Sequence, residues 1–454
     1  MLQSIDPATG RLLHEYKEAD PSQVGSALDA AAAAFPAWRG RPLADRAELL
    51  RRAGALLRIR SAPLAVLMAE EMGKPVAQGR AEAEKCATAC DYFADSAATF
   101  LAPEPIRTDA TRSYVAFEPL GVVLGVMPWN FPLWQVFRFA VPTLLAGNVC
   151  VLKHASNVSG AALAIEALLK DAGHPAGVFT TLLVGSGAVE GIVASPHVRA
   201  VSLTGSTPAG RAVAAAAGRA LKKTVLELGG SDPYVILADA DLDVAVPACV
   251  SARLVNTGQS CIAGKRFIVV ESVRAAFTER FVSAMKAKRF GDPKDEANDL
   301  GPMARVDLRD QLHAQVQASI QGGARLLCGG EVPPGPGAWY PPTVLDGVQP
   351  GTPAYGEELF GPAAAILGAR DEADAIRIAN DTPFGLGAAV FTRDASRGER
   401  IAAEALEAGS CFVNAFVRSD PRLPFGGVKE SGYGRELAAL GIREFVNAKT
   451  IYVA

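Results

Sequence analysis

Thr224-Val225-Leu226-Glu227-Leu228-Gly229-Gly230 is a short apolar run that ends in a carboxylate and two glycines. Runs of the same texture precede it at 121–126, 149–152, 180–184 and 200–203, separated by helical stretches. A second series follows it near 235–237, 266–270, 363–367, 388–391 and 410–413. Strands that read as continuous apolar runs are buried on both faces. Their alternation with helices predicts an α/β protein built on mostly parallel sheets. Glu227 stands at the junction of the two series.

Composition bounds the rest. With 454 residues the chain is too long for one ordinary core, so two or three domains are expected. A net charge of −3 argues against a nucleic-acid or polyanion partner. The chain has no run of eighteen apolar residues, and Met1–Leu13 lacks the basic-then-apolar form of a signal peptide, so a cytoplasmic protein with no membrane partner is expected. Seven scattered cysteines do not suggest a disulfide framework. Cys86 and Cys90, one helical turn apart, are expected to face a core. The five histidines form no ligand pair, so no metal is expected.

Before the first strand series, Asp20-Pro21 marks a helix start, with Val24, Leu28, Ala31 and Phe35 at helical spacing. Further helices are expected over 43–72, ending near Gly73, and over 81–100. Residues 101–119 read as a hairpin or exposed strand. The alternation of Phe445, Ile451 and Val453 suggests an edge strand in 444–454. Unpaired edges are a liability, so a neighbouring subunit is expected to cover both segments.

The chemistry begins with Asn256-Thr257-Gly258-Gln259-Ser260-Cys261, which places a thiol at the end of a polar turn. A thiol becomes a useful nucleophile where a base can take its proton, and Glu227 is the candidate base. Cys261, Glu227 and the motifs Pro128-Trp129-Asn130-Phe131-Pro132, Thr204-Gly205-Ser206, Glu357–Pro362 (EELFGP) and Pro424–Glu436 (PFGGVKESGYGRE) occur in one order along the whole chain. In these motifs the sequence resembles the aldehyde dehydrogenase superfamily, and within it the bacterial NAD(P)-dependent succinate-semialdehyde dehydrogenases.

The resemblance implies a Rossmann-type NAD(P)-binding domain at 1–100 and 120–227 and a catalytic domain at 228–428. It also implies a small β oligomerisation element at 101–119 and 429–454, in a homodimer or homotetramer. It makes Cys261 the nucleophile that forms a thiohemiacetal and then a thioester, Asn130 an oxyanion donor and Glu227 the general base. Around NAD or NADP it places Trp129, Lys153, Ser156, Thr204, Gly205, Ser206, Leu228, Glu358 and Phe360. Gly185 opens Gly185-Ser186-Gly187, a near match to a dinucleotide fingerprint after a strand. Arg138, in an otherwise apolar stretch, and Ser419 are expected to hold a substrate carboxylate. An Arg found six positions before the nucleophile in some members is Val255 here, with Arg253 and Arg418 as substitutes. Position 156, where NAD-specific relatives often carry Glu, is Ser, so NADP is expected to be accepted alongside NAD. The expected reaction is oxidation of succinate semialdehyde. The alternatives are another semialdehyde, a neutral aldehyde, acyl transfer to coenzyme A, which retention of Glu227 disfavours, or a silent structural homologue.

Overall fold

The computed structural model describes residues 1–454 and resolves the strand series into two separate sheets. The first runs, from edge to edge, Gly432–Tyr433, Lys223–Glu227, Val198–Thr204, Val122–Met127, Val149–His154, Phe179–Thr181. Its neighbours are parallel except at one edge, where Gly432 lies antiparallel to Glu227. The chain builds outward from Val122–Met127 to Phe179–Thr181, then returns to the other side for Val198–Thr204. Such a reversal leaves a crevice at the carboxyl ends of the central strands, where open α/β sheets bind ligands.

The second sheet has seven strands, ordered Arg325–Cys328, Thr343–Asp346, Ala363–Ala369, Gly264–Val270, Asp232–Ile236, Gly387–Phe391, Ser410–Val413. Only its first pair is antiparallel. Tyr234, Ile236, Phe267 and Val269 enter one core, and Val235 and Ile268 enter another. That is the two-residue period of a strand covered on both faces. Four residues, Leu228–Ser231, carry the chain from one sheet to the other, so Glu227 and Cys261 both fall at the seam.

The helix expected over 43–72 is two helices, Leu43–Ile59 and Ser61–Met72. Pro63 has no N–H for the Ile59 carbonyl, and its ring would strike that carbonyl in a continuous helix. Gly73 ends the second helix at φ +76°, as expected. The next helix starts earlier than expected, at Val76, and buries Cys86, Cys90 and Phe93 completely. The strand expected over 180–184 is confined to Phe179–Thr181. Two strands on either side of the Gly-Pro-rich loop, Arg325–Cys328 and Thr343–Asp346, were not expected.

Val446–Val453 pairs along its length with Arg112–Pro119, and Glu104–Pro105 completes a three-stranded arm. The expected 429–454 element divides. Gly432–Tyr433 joins the first sheet, and Ile442 and Phe445 enter its core, leaving only Val446–Val453 on the arm. No helix of the chain is long and apolar enough to cross a membrane.

Candidate active site

Cys261 sits on a loop whose backbone is unusual and heavily tied. Asn256, Thr257 and Gly258 have φ of 54°, 55° and 74°, three successive left-handed residues. Such conformations cost energy and persist only where surroundings impose them. Here Asn256 Nδ2 donates to the Asn130 carbonyl at 2.7 Å, Arg253 Nη2 to the Gly258 carbonyl at 2.6 Å, and Thr257 bonds Gly301 in both directions. A side chain at Gly258 would collide with the backbone of Gly361. Lys265 Nζ donates to the carbonyls of Ser260 and Cys261, both at 2.7 Å, and pairs with Glu358 at 2.9 Å. The Cys261 carbonyl is thereby turned inward, and its N–H makes no hydrogen bond within the chain.

Cys261 is partly exposed as a residue, but burial of its thiol pushes it up to about 11, against the pull of Arg138 and Lys265. It is neutral at pH 7 and must lose its proton during reaction. Asn130 is buried beside the loop. Its Nδ2 donates once, to the Gln259 carbonyl at 3.2 Å, so one N–H is uncommitted, and Oδ1 has no partner. Two uncommitted donors, Asn130 Nδ2–H and the Cys261 N–H, suit an oxygen that gains negative charge.

Glu227 ends its strand fully buried, and neither carboxylate oxygen has a hydrogen-bond partner. Burial raises it well above its ordinary value, with Arg138 and Arg435 pulling it down and Glu436 pushing it up. A Cβ on Gly426, at φ +155°, would lie 2.7 Å from Glu227 Oε1, so the glycine makes room for the carboxyl. The strongest charges on Cys261 are Arg138, Lys265, Glu358 and Asp232, and Glu227 is not among them. In this arrangement the Glu227 carboxyl lies by Gly426 and Arg435.

At the strand ends of the first sheet, Lys153 is buried with no acidic partner, and burial lowers its pKa. An unpaired buried cation is costly unless something anionic or polar meets it, so this position fits a nucleotide ribose or phosphate. Ser156 opens the following turn with no acidic side chain bonded to it. Ser206 caps the helix Thr207–Arg219, whose N-terminus faces the same crevice, a setting that favours phosphate. Gly205 donates to the Glu227 carbonyl at 2.9 Å, and Thr204 accepts from Arg138. Trp129 and Phe360 meet edge to face with centroids 5.7 Å apart, and Leu228 packs over Gly210. Gly185 does not meet its expectation. Its N–H is taken by the Glu18 carboxylate at 3.1 Å, a charge that repels phosphate, and the helix after it, Val189–Ala194, is a single short piece.

Arg138 also departs from expectation. The residue is 1% exposed, and its guanidinium pairs with Glu436, bonds Thr204 Oγ1 at 3.2 Å and lies 4.6 Å over the Phe425 ring. It does not line the cavity beside Cys261, because Glu436 already supplies the anion it needs. Arg253 is likewise fully buried, bonded to the loop. Arg138→Met should destabilise the fold by about 3–5 kcal/mol, because it leaves Glu436 buried and unpaired. The loss should reduce turnover of carboxylated and neutral aldehydes alike. Thermal unfolding of Arg138→Met beside the double variant Arg138→Met/Glu436→Gln checks this, and the double variant should recover most of the loss.

The cavity that reaches the nucleophile loop has a volume of about 430 Å³ and is lined by Ser260 and Ile262, either side of Cys261, with Lys85, Trp134, Arg418 and Ser419. Ser419 was expected there. Lys85 was not, though its place beside Cys86 on a half-buried helix face was a signal. No group of His, Cys, Asp and Glu side chains is arranged to hold a metal ion.

A parallel sheet whose strand order reverses at its centre, beside a second sheet carrying a tethered thiol, defines an α/β enzyme of the nucleotide-dependent, cysteine-dependent kind. Residues 1–451 match the aldehyde dehydrogenase family, and the chain belongs to it. It is 50% identical to the succinate semialdehyde dehydrogenase [NAD(P)+] Sad of Escherichia coli K12 over 449 residues, 99% of this chain and 97% of that protein. It is 48% identical, over the full length of both chains, to a probable succinate-semialdehyde dehydrogenase [NADP(+)] of Synechocystis. Among solved structures, the succinic semialdehyde dehydrogenase of Streptococcus pyogenes in complex with NADP+ superposes with a TM-score of 0.97 at 37% identity, over the full length of both chains.

Proposed function

We propose that the protein is an NAD(P)-dependent dehydrogenase that oxidises succinate semialdehyde to the acid. One observation carries the chemistry: Cys261, a partly exposed residue between two that line the cavity, has uncommitted donors beside it, and the buried Glu227 carboxyl has no partner. The relatives named above support the substrate and the cofactor. Lys153, Ser156, the helix Thr207–Arg219, Trp129 and Phe360 would hold the cofactor, whose oxidised nicotinamide supplies the acceptor for the aldehyde hydrogen and its electron pair.

The rest is work for the chain. Cys261 gives its thiol proton to solvent water and its Sγ bonds the aldehyde carbon, and Asn130 Nδ2–H with the Cys261 N–H hold the oxygen as it becomes negative. Loss of the hydrogen leaves a thioester on Cys261. Glu227, turned towards the site, takes a proton from the water that attacks the thioester. The acid leaves and the thiol is restored. Burial raises this carboxyl above its ordinary value, which makes it a stronger base once ionised.

We assign residues 1–100 and 120–227 to cofactor binding and 228–428 to the catalytic domain. The arm of Arg112–Pro119 and Val446–Val453 leaves Tyr452 and Val453 exposed and would pack against a second copy, as a homodimer or homotetramer. Seven free cysteines without a disulfide fit a reducing, cytoplasmic setting.

A panel of aldehydes with and without a terminal carboxylate, followed by NADH and NADPH absorbance, tests the reading. Succinate semialdehyde should exceed butanal in kcat/KM, and a preference for butanal would overturn the substrate. Ser156→Glu should damage NADP use selectively, because like charges brought together in a confined site cost several kcal/mol. An unchanged NADP-to-NAD ratio in that variant would place 2′-phosphate selection elsewhere.

A further inference from the structure

We propose that Lys85, acting with the Ser419 hydroxyl, is the receptor for the distal carboxylate of the substrate, an inference that rests on the semialdehyde reading above. Lys85 lies on the helix Val76–Phe100 and lines the cavity that reaches Ser260 and Ile262. Its ammonium donates to Ser419 Oγ at 2.7 Å and sits 4.2 Å from the centroid of the Trp134 ring. It makes no ion pair, although two carboxylates are close. Glu82 is held by Lys74 and by the N–H groups of Leu133 and Trp134, both at 2.9 Å. Asp420 is held by Arg422 at 2.7 Å. Both nearby anions are therefore engaged, and the Lys85 charge is left facing the cavity.

Ser419 adds direction. Its Oγ accepts from Lys85 Nζ and from Trp134 Nε1, the latter at 3.1 Å. With both lone pairs occupied, the hydroxyl proton has to be donated, and Ser419 makes no such bond within the chain. Two Lys85 N–H groups and one Ser419 O–H thus remain for one acceptor. An ionised carboxylate accepts all three. A methyl group in the same place, as in butanal, would leave a cation and a hydroxyl without partners, which is how a polar site rejects an apolar analogue.

The charge is also titratable. Burial, with Arg138 behind it adding to the effect, lowers Lys85 to about 8 against the weaker pull of Cys86, Glu82 and Asp420. Arg418, Lys288 and Asp299 face the same cavity. Lys85 is charged below that value and neutral above it, so the free enzyme should lose its carboxylate preference as pH rises through about 8. The ratio of kcat/KM for succinate semialdehyde to that for butanal isolates this loss, because both aldehydes use the same thiol and the same base.

The test is kcat/KM for the two aldehydes in Lys85→Met, Lys85→Arg and Arg418→Met, from pH 6.5 to 9.5. Lys85→Met should lose about 100-fold on succinate semialdehyde, within the 2–5 kcal/mol range for truncating one partner of a buried charge pair, and should gain on butanal, whose methyl no longer meets an unpartnered cation. Lys85→Arg should keep the preference and hold it flat above pH 8. Arg418→Met should lose less than Lys85→Met. Equal losses on both aldehydes in Lys85→Met, or loss of the preference only in Arg418→Met, would overturn the assignment. If the unaltered enzyme prefers butanal, the substrate reading falls and this inference with it. If it prefers succinate semialdehyde and Lys85→Met does too, only this inference falls.

Discussion

Cys261→Ala should reduce turnover by roughly four or more orders of magnitude, the usual cost of deleting a covalent nucleophile. The variant should fold and bind cofactor as before, because the loop is held by Asn256, Thr257, Gly258 and Lys265 rather than by the thiol. Acidity does not single out this cysteine. Burial pushes Cys411 up to about 11 as well. What sets Cys261 apart is its place between two cavity-lining residues, Ser260 and Ile262, its free N–H and the cations Arg138 and Lys265, which favour the thiolate. Cys411→Ala and Cys328→Ala should therefore change the rate little. Substantial activity in Cys261→Ala would remove the covalent mechanism.

Glu227→Gln should separate the two halves of the reaction. The carboxyl lies by Gly426 and Arg435, and its charge is not among the strongest acting on the thiol. It is thus better suited to the later, hydrolytic step than to thiol activation. The amide keeps the shape but cannot accept a proton. One turnover should proceed to give a burst of about one equivalent of reduced cofactor per competent site. Steady-state turnover should then fall by about 10²–10⁴-fold, the range associated with general base catalysis. Loss of burst and turnover together would assign Glu227 to activation of Cys261 instead.

Much of the fold was legible because parallel strands buried on both faces read as continuous apolar runs. The first sheet is written in the sequence at Val122–Met127, Val149–His154 and Val198–Thr204. Arg325–Cys328 was not legible, since a four-residue, half-exposed edge strand beside glycines carries no such run. The candidate reactive groups stand out in the sequence because each has a distinctive setting, Cys261 after a polar turn and Glu227 before two glycines. The substrate end was misread at Arg138. An arginine in an apolar helix wants an anion, but local sequence does not say whether the anion is a ligand or Glu436, far along the chain. Lys85 was missed for the converse reason. Its charge is unpaired only because Lys74, Arg422 and two backbone N–H groups have already claimed Glu82 and Asp420.

The most direct measurement is the intact mass of Glu227→Gln after mixing with succinate semialdehyde and NADP, quenched in acid and followed by peptide mapping. The account predicts a succinyl thioester increment on Cys261, formed in step with the NADPH burst and absent when Cys261 is also Ala. A burst of NADPH with no adduct, or an adduct on another residue, would contradict it.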